Sequence, residues 1–257
     1  MKFQVDLNCD LGEGYGNFRV GNDEEMMPHI TSANVACGFH AGDPMVMANI
    51  IGIAKKHSVA VGAHPGYPDL QGFGRREMKL AREEIKQYTL YQVGALQGFA
   101  RAAEVHLQHV KPHGALYNKA AQDEETAEGI VEAVMAFDKG LIVFAPPKSI
   151  LAKVSVDAGL RVACEFFADR AYNADGSLVS RQRPNSIIND PKKLVERALR
   201  ALKEKSVLTA DGKTVNLCEV QTICVHGDTP EAVKLVKALK SGLVAAGVEV
   251  KPVSSFI

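Results

Sequence analysis

The chain has 257 residues, of which 46% are hydrophobic and 6% aromatic, which is enough to bury one large core. Its 30 basic and 30 acidic residues cancel, and this balance argues against a nucleic-acid-binding protein. No run approaches the roughly 20 apolar residues of a membrane span, and the first residues lack the pattern of a signal peptide. The five cysteines show no CxxC spacing, so we expect reduced thiols and a cytoplasmic location. Because no run is long and apolar enough, we expect no membrane partner.

Short β-rich runs alternate with helical patterns along the whole chain. Candidate strands cover 3–8, 31–36, 59–63, 108–111, 141–145, 161–166, 221–225 and 249–253, and candidate helices cover 44–57, 82–104, 124–138, 147–158, 191–204 and 230–246. Three helix starts carry a capping side chain followed by proline, at Asp43-Pro44, Asp190-Pro191 and Thr229-Pro230. Strands separated by helices pair in parallel through right-handed crossovers.

These alternating units predict an α/β fold with one domain over residues 1–257. Seven or eight parallel strands in this length favour a distorted, TIM-like (β/α) barrel. An open doubly wound sheet remains the alternative, because periodicity alone does not establish closure. Residues 64–80 form a long loop rich in glycine and proline, and residues 207–217 are predicted to form a hairpin turning at Asp211-Gly212. A glycine-rich loop makes the first βα unit irregular.

Polar side chains follow most of the predicted strands. Four of the eight histidines lie just after strands, each with a glycine within two residues. The residues at these strand ends are Asn8, Asp10, Glu13, His40, His64, Lys111, His113, Asp169, Arg170, His226 and Asp228. In a parallel barrel such positions meet on the C-terminal rim, where barrel active sites form. The sequence therefore predicts one site on that rim.

Structural roles explain the remaining candidates better. A single histidine often serves only to form a hydrogen bond with a backbone carbonyl. We assign such a structural role to His29, His57, His106 and His109. Asp43 is read as a helix cap, and Cys9 and Cys37 as packing residues, since no activating base is evident. The segment 12–16 lacks the dinucleotide fingerprint, and the sequence contains no P-loop.

Taken in order, these motifs resemble the family of 5-oxoprolinase subunits known as the LamB/YcsF lactam-utilisation family. The resemblance covers essentially the whole chain. It rests on DLNCDLGE (6–13), ACGFHAGDP (36–44), GAHPGYPD (62–69), GFGRR (72–76), KPHGALYN (111–118), FADR (167–170) and VHGD (225–228). Several long motifs in one order are far more specific than one short pattern.

The resemblance implies ATP-dependent cleavage of 5-oxo-L-proline to L-glutamate, performed together with two further subunits. ATP is then a co-substrate of the complex, and the small lactam is the ligand of this chain. It also implies a seven-stranded barrel related to the carbohydrate deacetylases, in which an aspartate and two histidines hold a divalent metal. We expect Asp10, Glu13, His40, His64 and His113 to be catalytic. The corresponding metal ligands here are Asp10 with His40 and His64, or with His113.

Substrate recognition is expected from a second group of rim residues. Lys111, Arg75, Arg76 and Arg170 offer cations for a carboxylate and a phosphate, and Asp169, His226 and Asp228 complete the predicted substrate-binding set. Adjacent side chains diverge, so only one of Arg75 and Arg76 is expected to face the site.

Two other functions are compatible with this sequence. One is a metal-dependent amidohydrolase or deacetylase that acts alone, although few aromatic residues argue against a sugar-stacking groove. The other is a non-catalytic regulatory subunit, against which the set of carboxylates and histidines speaks. Activity without partner subunits and a metal analysis would separate these from the lactam hydrolase.

Overall fold

Seven parallel strands close into a barrel in this computed structural model, which describes residues 3–227 and 231–257. The barrel strands are β1 (Gln4–Leu11), β2 (Ser32–Ala36), β3 (Ala60–His64), β4 (Leu107–Val110), β5 (Ile142–Ala145), β6 (Arg161–Phe167) and β9 (Thr222–Cys224). Each strand pairs with the next, and β9 pairs back onto β1 at Asp6↔Thr222 and Asn8↔Cys224. This last pairing closes the ring, so the barrel prediction is confirmed with seven strands and the open sheet is excluded.

Helices surround the barrel and bury their apolar faces against it. They are α1 (Asp23–Met26), α2 (Pro44–His57), α3 (Arg82–Ala102), α4 (Gly114–Ala120), α5 (Glu124–Phe137), α6 (Ile150–Asp157), α7 (Pro191–Glu204) and α8 (Ala232–Ala245). Asp43 accepts hydrogen bonds from the amides of Met45 and Val46, and Asp190 caps α7 in the same way. Both predicted caps are therefore confirmed, whereas Thr229-Pro230 lies outside the described residues. Within the described ranges no helix is long and apolar enough to span a membrane.

Some elements differ from the sequence prediction. The strand expected at 249–253 shrinks to β10 (Glu249–Val250), which pairs with β1 but takes no part in closing the barrel. Helix α4 was not predicted, because its seven residues are too short for a periodic signal. The segment 168–190 is a long loop with two isolated bridges, Arg170↔Ile187 and Tyr172↔Leu178. The predicted hairpin is present as β7 (Ser206–Leu208) and β8 (Thr214–Asn216).

The barrel interior is polar on the side of β1. Successive residues of a strand point to opposite faces, so Val5, Leu7 and Cys9 pack outward into the hydrophobic core. Asp6, Asn8 and Asp10 take the alternate positions. Barrel interiors are usually filled by branched apolar side chains, and buried polar groups need hydrogen-bond partners in place of such packing. The β1 side chains therefore begin a buried polar network that ends at the C-terminal rim.

Candidate active site

The predicted rim residues converge at the C-terminal ends of the strands. Asp10 lies near the end of β1, His64 is the last residue of β3, and His113 immediately precedes α4. A cavity of about 970 Å³ opens at this end, and the predicted site residues that line it are Asp10, Glu13, His64, Arg75, Lys111, His113, Arg170 and His226. His40 lies behind this wall, where its ring stacks on that of His113 with 3.7 Å between centroids.

Three imidazoles and one carboxylate form a compact cluster at the floor of the cavity. His113 Nδ1 lies 3.0 Å from His64 Nε2 and 3.3 Å from Glu13 Oε1. Glu13 Oε1 also lies 3.4 Å from Nε2 of His40, a residue that is wholly buried. Burial, together with neighbouring positive charge, holds the pKa of His40 and of His113 well below the usual value, so both rings are neutral. We call Glu13, His40, His64 and His113 the histidine cluster.

Two glycines make room for the histidine cluster. A Cβ atom on Gly66 would lie 2.6 Å from His40 Nδ1, and one on Gly74 would lie 2.7 Å from His40 Cβ. Gly74 also has a positive φ of 62°, a conformation that other residues adopt only with strain. Both glycines lie in the loop of residues 64–80 after β3, which contains motifs that carry the family resemblance. The glycine-rich loop is therefore needed for close packing of the histidine rings.

Lys111 connects the cavity to the polar interior. Its side chain is 2% exposed, and its ammonium nitrogen lies 2.9 Å from Asp10 Oδ1 and 2.9 Å from Glu165 Oε1. It also approaches Cys224 Sγ at 3.2 Å and Asn8 Oδ1 at 3.3 Å. Burial alone would lower the pKa of Lys111, but Asp10 and the other negative neighbours raise it well above the usual range. Since its three protons already have acceptors, Lys111 holds Asp10 in place and has no donor left for a substrate.

Asp10 remains ionised in this environment. Burial acts to raise the pKa of Asp10, but His64 and Lys111 overcome it and hold that pKa well below the usual range. Its Oδ1 accepts from Lys111 and from Asn34 Nδ2, while Oδ2 lies 3.4 Å from His64 Nε2. The predicted metal set of Asp10, His40 and His64 is thus not the set that converges most closely, because Glu13 lies beside the ring nitrogens of His40 and His113.

A carboxylate–imidazole pair stands on the wall of the cavity. His226 Nδ1 lies 2.8 Å from Asp169 Oδ2, which also accepts from the His226 amide at 3.0 Å. Burial raises the pKa of Asp169, but the His226 charge and its hydrogen bonds bring that pKa below the usual value. The Asp169 carboxylate therefore fixes the tautomer of His226 with a proton on Nδ1, and Nε2 is the nitrogen left for a ligand.

The two adjacent arginines diverge as predicted. Arg75 lines the cavity, whereas the guanidinium of Arg76 forms a salt bridge with Asp69 and is 65% exposed. Arg170 lines the cavity with most of its side chain buried, and its Nη2 donates to the Val179 carbonyl at 2.6 Å. The structure thus brings Arg75 and Arg170 to the site and leaves Arg76 outside it. Asp228 lies outside the described residues.

Sequence reasoning missed the polar residues beneath the site. Glu165 Oε1 accepts from Asn8 Nδ2 at 2.9 Å, and Glu165 Oε2 accepts from the Tyr117 hydroxyl at 2.6 Å. Asn34 Nδ2 donates to Asn8 Oδ1 at 2.7 Å, which joins β2 to this network. The available signal was an acidic or amide residue inside an otherwise apolar strand, as with Glu165 before Phe166 and Phe167.

With this geometry established, comparison with known proteins assigns the family. The family model described as the LamB/YcsF family matches residues 5–257. The chain belongs to this family. A 5-oxoprolinase subunit of Pyrococcus horikoshii is 51% identical over 254 residues, which are 99% of each chain. The lactam utilization protein from Thermus thermophilus superposes with a TM-score of 0.91 at 48% identity, covering 97% of this chain and 99% of that one.

A more distant likeness concerns the fold alone. The catalytic domain of a peptidoglycan N-acetylglucosamine deacetylase from Eubacterium rectale superposes with a TM-score of 0.51 at 12% identity. It covers 98% of this chain and 89% of the deacetylase domain. The barrel therefore has the fold of a carbohydrate deacetylase domain, as expected.

Proposed function

We propose that this chain is the barrel subunit of a multi-subunit 5-oxoprolinase, which opens 5-oxo-L-proline to L-glutamate at the expense of ATP. The observation that carries this proposal is the conjunction of LamB/YcsF membership with the cavity. That cavity joins carboxylates, imidazoles and arginines in one space. Relatives that share about half of their residues with this chain are named as a subunit of 5-oxoprolinase, and a subunit implies partners.

Coupling to ATP has a physical reason. When the five-membered lactam opens, the amine stays tethered near the new carboxylate, so a high effective molarity favours reclosure. Transfer of a phosphoryl group to the lactam oxygen weakens amide resonance and makes the ring carbon more electrophilic. One water molecule is consumed in breaking the C–N bond and a second in releasing phosphate. Glutamate, ADP and phosphate are then the products.

The chain's own residues supply three functions in this reaction. Asp10, which stays ionised at the cavity floor beside His64 and His113, accepts the proton of the attacking water. When it also carries a proton on Nε2, His226 donates that proton to the ring nitrogen as the C–N bond breaks, and Asp169 stabilises the imidazolium through Nδ1–H.

Anion recognition falls to the cationic wall of the cavity. Arg75 and Arg170 hold the substrate carboxylate and the negative charge that develops on the lactam oxygen. Lys111 keeps Asp10 in place and contacts no substrate atom.

The deciding experiment measures glutamate released from 5-oxoproline, with and without ATP and with and without the candidate partner subunits. We expect release only when ATP and the partners are present. Turnover by the purified chain alone without ATP would instead favour a metal-dependent amidohydrolase.

A variant of the proton donor then tests the role of the barrel itself. His226→Gln should lower kcat of the assembled complex by about 100-fold, the scale of one general acid. The exposed His106 gives a matched control, His106→Gln, with unchanged kcat. If His226→Gln retains full activity in the complex, the barrel has a regulatory role and the chemistry occurs elsewhere.

A further inference from the structure

The hydrogen bonds of His64 and His113 fix where their protons lie. His64 Nδ1 is 2.6 Å from the backbone oxygen of Lys111, and His113 Nε2 is 2.8 Å from that of Phe73. A carbonyl oxygen can only accept, so each of these nitrogens carries a proton, which is the one proton of the ring whenever that ring is neutral. The two remaining nitrogens, His64 Nε2 and His113 Nδ1, therefore face each other at 3.0 Å with lone pairs.

Two lone pairs at this distance repel unless a positive charge lies between them. An additional proton would relieve the repulsion by making one ring an imidazolium. Both rings are buried, and burial disfavours the charged imidazolium. A metal cation relieves the same repulsion without protonating either ring, and it binds neutral imidazole nitrogens directly.

The remaining members of the histidine cluster complete a coordination shell. Glu13 Oε1 lies 3.3 Å from His113 Nδ1 and 3.4 Å from His40 Nε2. Neither ring nitrogen of His40 has a hydrogen-bond partner among the described residues, although the ring is wholly buried. One ligand atom from each of the four residues lies within 4.8 Å of the others.

The three separations of 3.0, 3.3 and 3.4 Å between these ligand atoms are close to those around a tetrahedral ion. Nitrogen and oxygen ligands at about 2.1 Å from zinc lie about 3.4 Å from one another in a tetrahedron. Imidazoles outnumber carboxylates here, and such a donor set favours zinc or a similar transition metal over magnesium or calcium. The carbonyl bonds of His64 and His113 are also the outer contacts that orient metal-binding imidazoles.

A second group of potential ligands is a poorer candidate. Asp10, Cys224 and His226 also offer atoms within 4.8 Å of one another. The Lys111 ammonium group already lies 2.9 Å from Asp10 Oδ1 and 3.2 Å from Cys224 Sγ. Its positive charge occupies that position electrostatically and would repel a second cation.

We propose that Glu13, His64 and His113 bind one divalent transition-metal ion, with zinc as the best match, and that His40 becomes the fourth ligand when its ring turns out of the parallel stack on His113. The ion would lie at the floor of the cavity beside Asp10 and supply a Lewis acid there. This inference concerns binding and stands apart from the lactam chemistry, so the two can fail separately.

The test uses the full-length chain treated with a chelator and then incubated with Zn²⁺ before desalting. Elemental analysis should find one zinc per chain, and Zn²⁺ should raise the thermal midpoint, because only the folded state holds the ligands together. Glu13→Gln and His113→Gln should each lose the bound zinc and the thermal shift. His106→Gln, at an exposed position, should retain both.

Cobalt distinguishes the two groups of ligands. Co²⁺ bound to the histidine cluster should give the visible bands of a tetrahedral site without a thiolate-to-metal charge-transfer band, and Cys224→Ser should leave this spectrum unchanged. A thiolate band that disappears in Cys224→Ser would overturn the proposal. The wild-type spectrum decides the matter even if a cluster variant fails to fold. Zinc content that stays near zero in the wild-type chain would show that His64 and His113 share a proton instead.

Discussion

His109 illustrates how a single buried imidazole makes stability depend on pH. Its Nε2 lies 2.7 Å from Asn34 Oδ1, and Gln108 Nε2 approaches its Nδ1 at 3.1 Å. Burial, with a contribution from Lys111, lowers the pKa of His109 to about 3. The ring is therefore a neutral hydrogen-bond donor in the folded chain, which confirms a structural role for this histidine.

We predict that acidification destabilises the protein through His109. Below pH 6.5 the unfolded chain binds a proton at this ring and the folded chain does not, so the free energy of unfolding falls as pH falls from 6.5 towards 3. At pH 5 the loss is about 2 kcal/mol relative to pH 7.5. Denaturant unfolding at both pH values, compared between the wild type and His109→Gln, measures it.

This comparison has a built-in control. Burial raises the pKa of Asp6 to about 6, and this carboxyl titrates in the same range in both proteins. Its effect therefore cancels in the difference between them. If His109→Gln shows the same pH dependence as the wild type, His109 is not the group responsible.

The adjacent arginines give a matched pair at the same scale. Arg75→Lys should lower kcat/KM of the assembled complex about tenfold or more, since a hydrogen bond to a charged group contributes about 1.5–3 kcal/mol. Arg76→Lys should leave kinetics unchanged, because the Arg76 side chain is mostly exposed and bonds Asp69 outside the cavity. Steady-state kinetics of both variants check this, and equal effects would contradict the assignment of Arg75 to the cavity.

At the scale of elements, glycines in two environments predict opposite outcomes. Gly94 lies at an exposed position of α3 with no atom within 4 Å of an added Cβ. Gly94→Ala should therefore stabilise the protein by about 0.5–1 kcal/mol. Gly66→Ala should displace the ring of His40 and lower the activity of the complex. Its effect on the thermal midpoint of the barrel should be smaller. Thermal unfolding and kinetics of the two variants provide the comparison.

The elements also show how far the sequence can predict this molecule. Strands, helix limits and the caps Asp43 and Asp190 follow from periodicity and local hydrogen bonding, which depend on neighbouring residues. The rim site could be predicted because parallel strands bring their ends together. The position of Glu13 beside the rings of His40 and His113 could not be predicted, because it depends on the path of an irregular loop. The bonding of Lys111 to Glu165 depends equally on packing between distant strands.

At the scale of the whole molecule, the C-terminal residues close the barrel from below. Val253 is wholly buried against Ile142, Phe144 and Ala163, and Phe256 and Ile257 pack on the same cluster. These residues lie at the end of the barrel opposite the cavity. One end of the barrel therefore contributes to stability, and the opposite end carries the candidate site.

We predict that Val253→Ala destabilises the protein by about 2 kcal/mol, because it removes buried apolar volume. Activity of the assembled complex at low temperature should be unchanged, since this cluster and the cavity lie at opposite ends of the barrel. Val244→Ala on α8, where the side chain is 57% exposed, is the control and should be nearly neutral. Denaturant unfolding of the two variants measures the difference, and a loss of kcat in Val253→Ala would show that the faces are coupled.

The closure of the barrel by β1 has a consequence for the order of events during synthesis. The first strand to leave the ribosome pairs with β9 and β10, which are among the last. The hydrogen bond from Thr222 to Asp6 spans 216 residues of sequence. Asp6 and Asn8 both bond the Thr222 side chain, so their hydrogen bonds are complete only after most of the chain has been made. The ring of strands beneath the cavity therefore closes late in translation, and contacts of such long range make this final step slow.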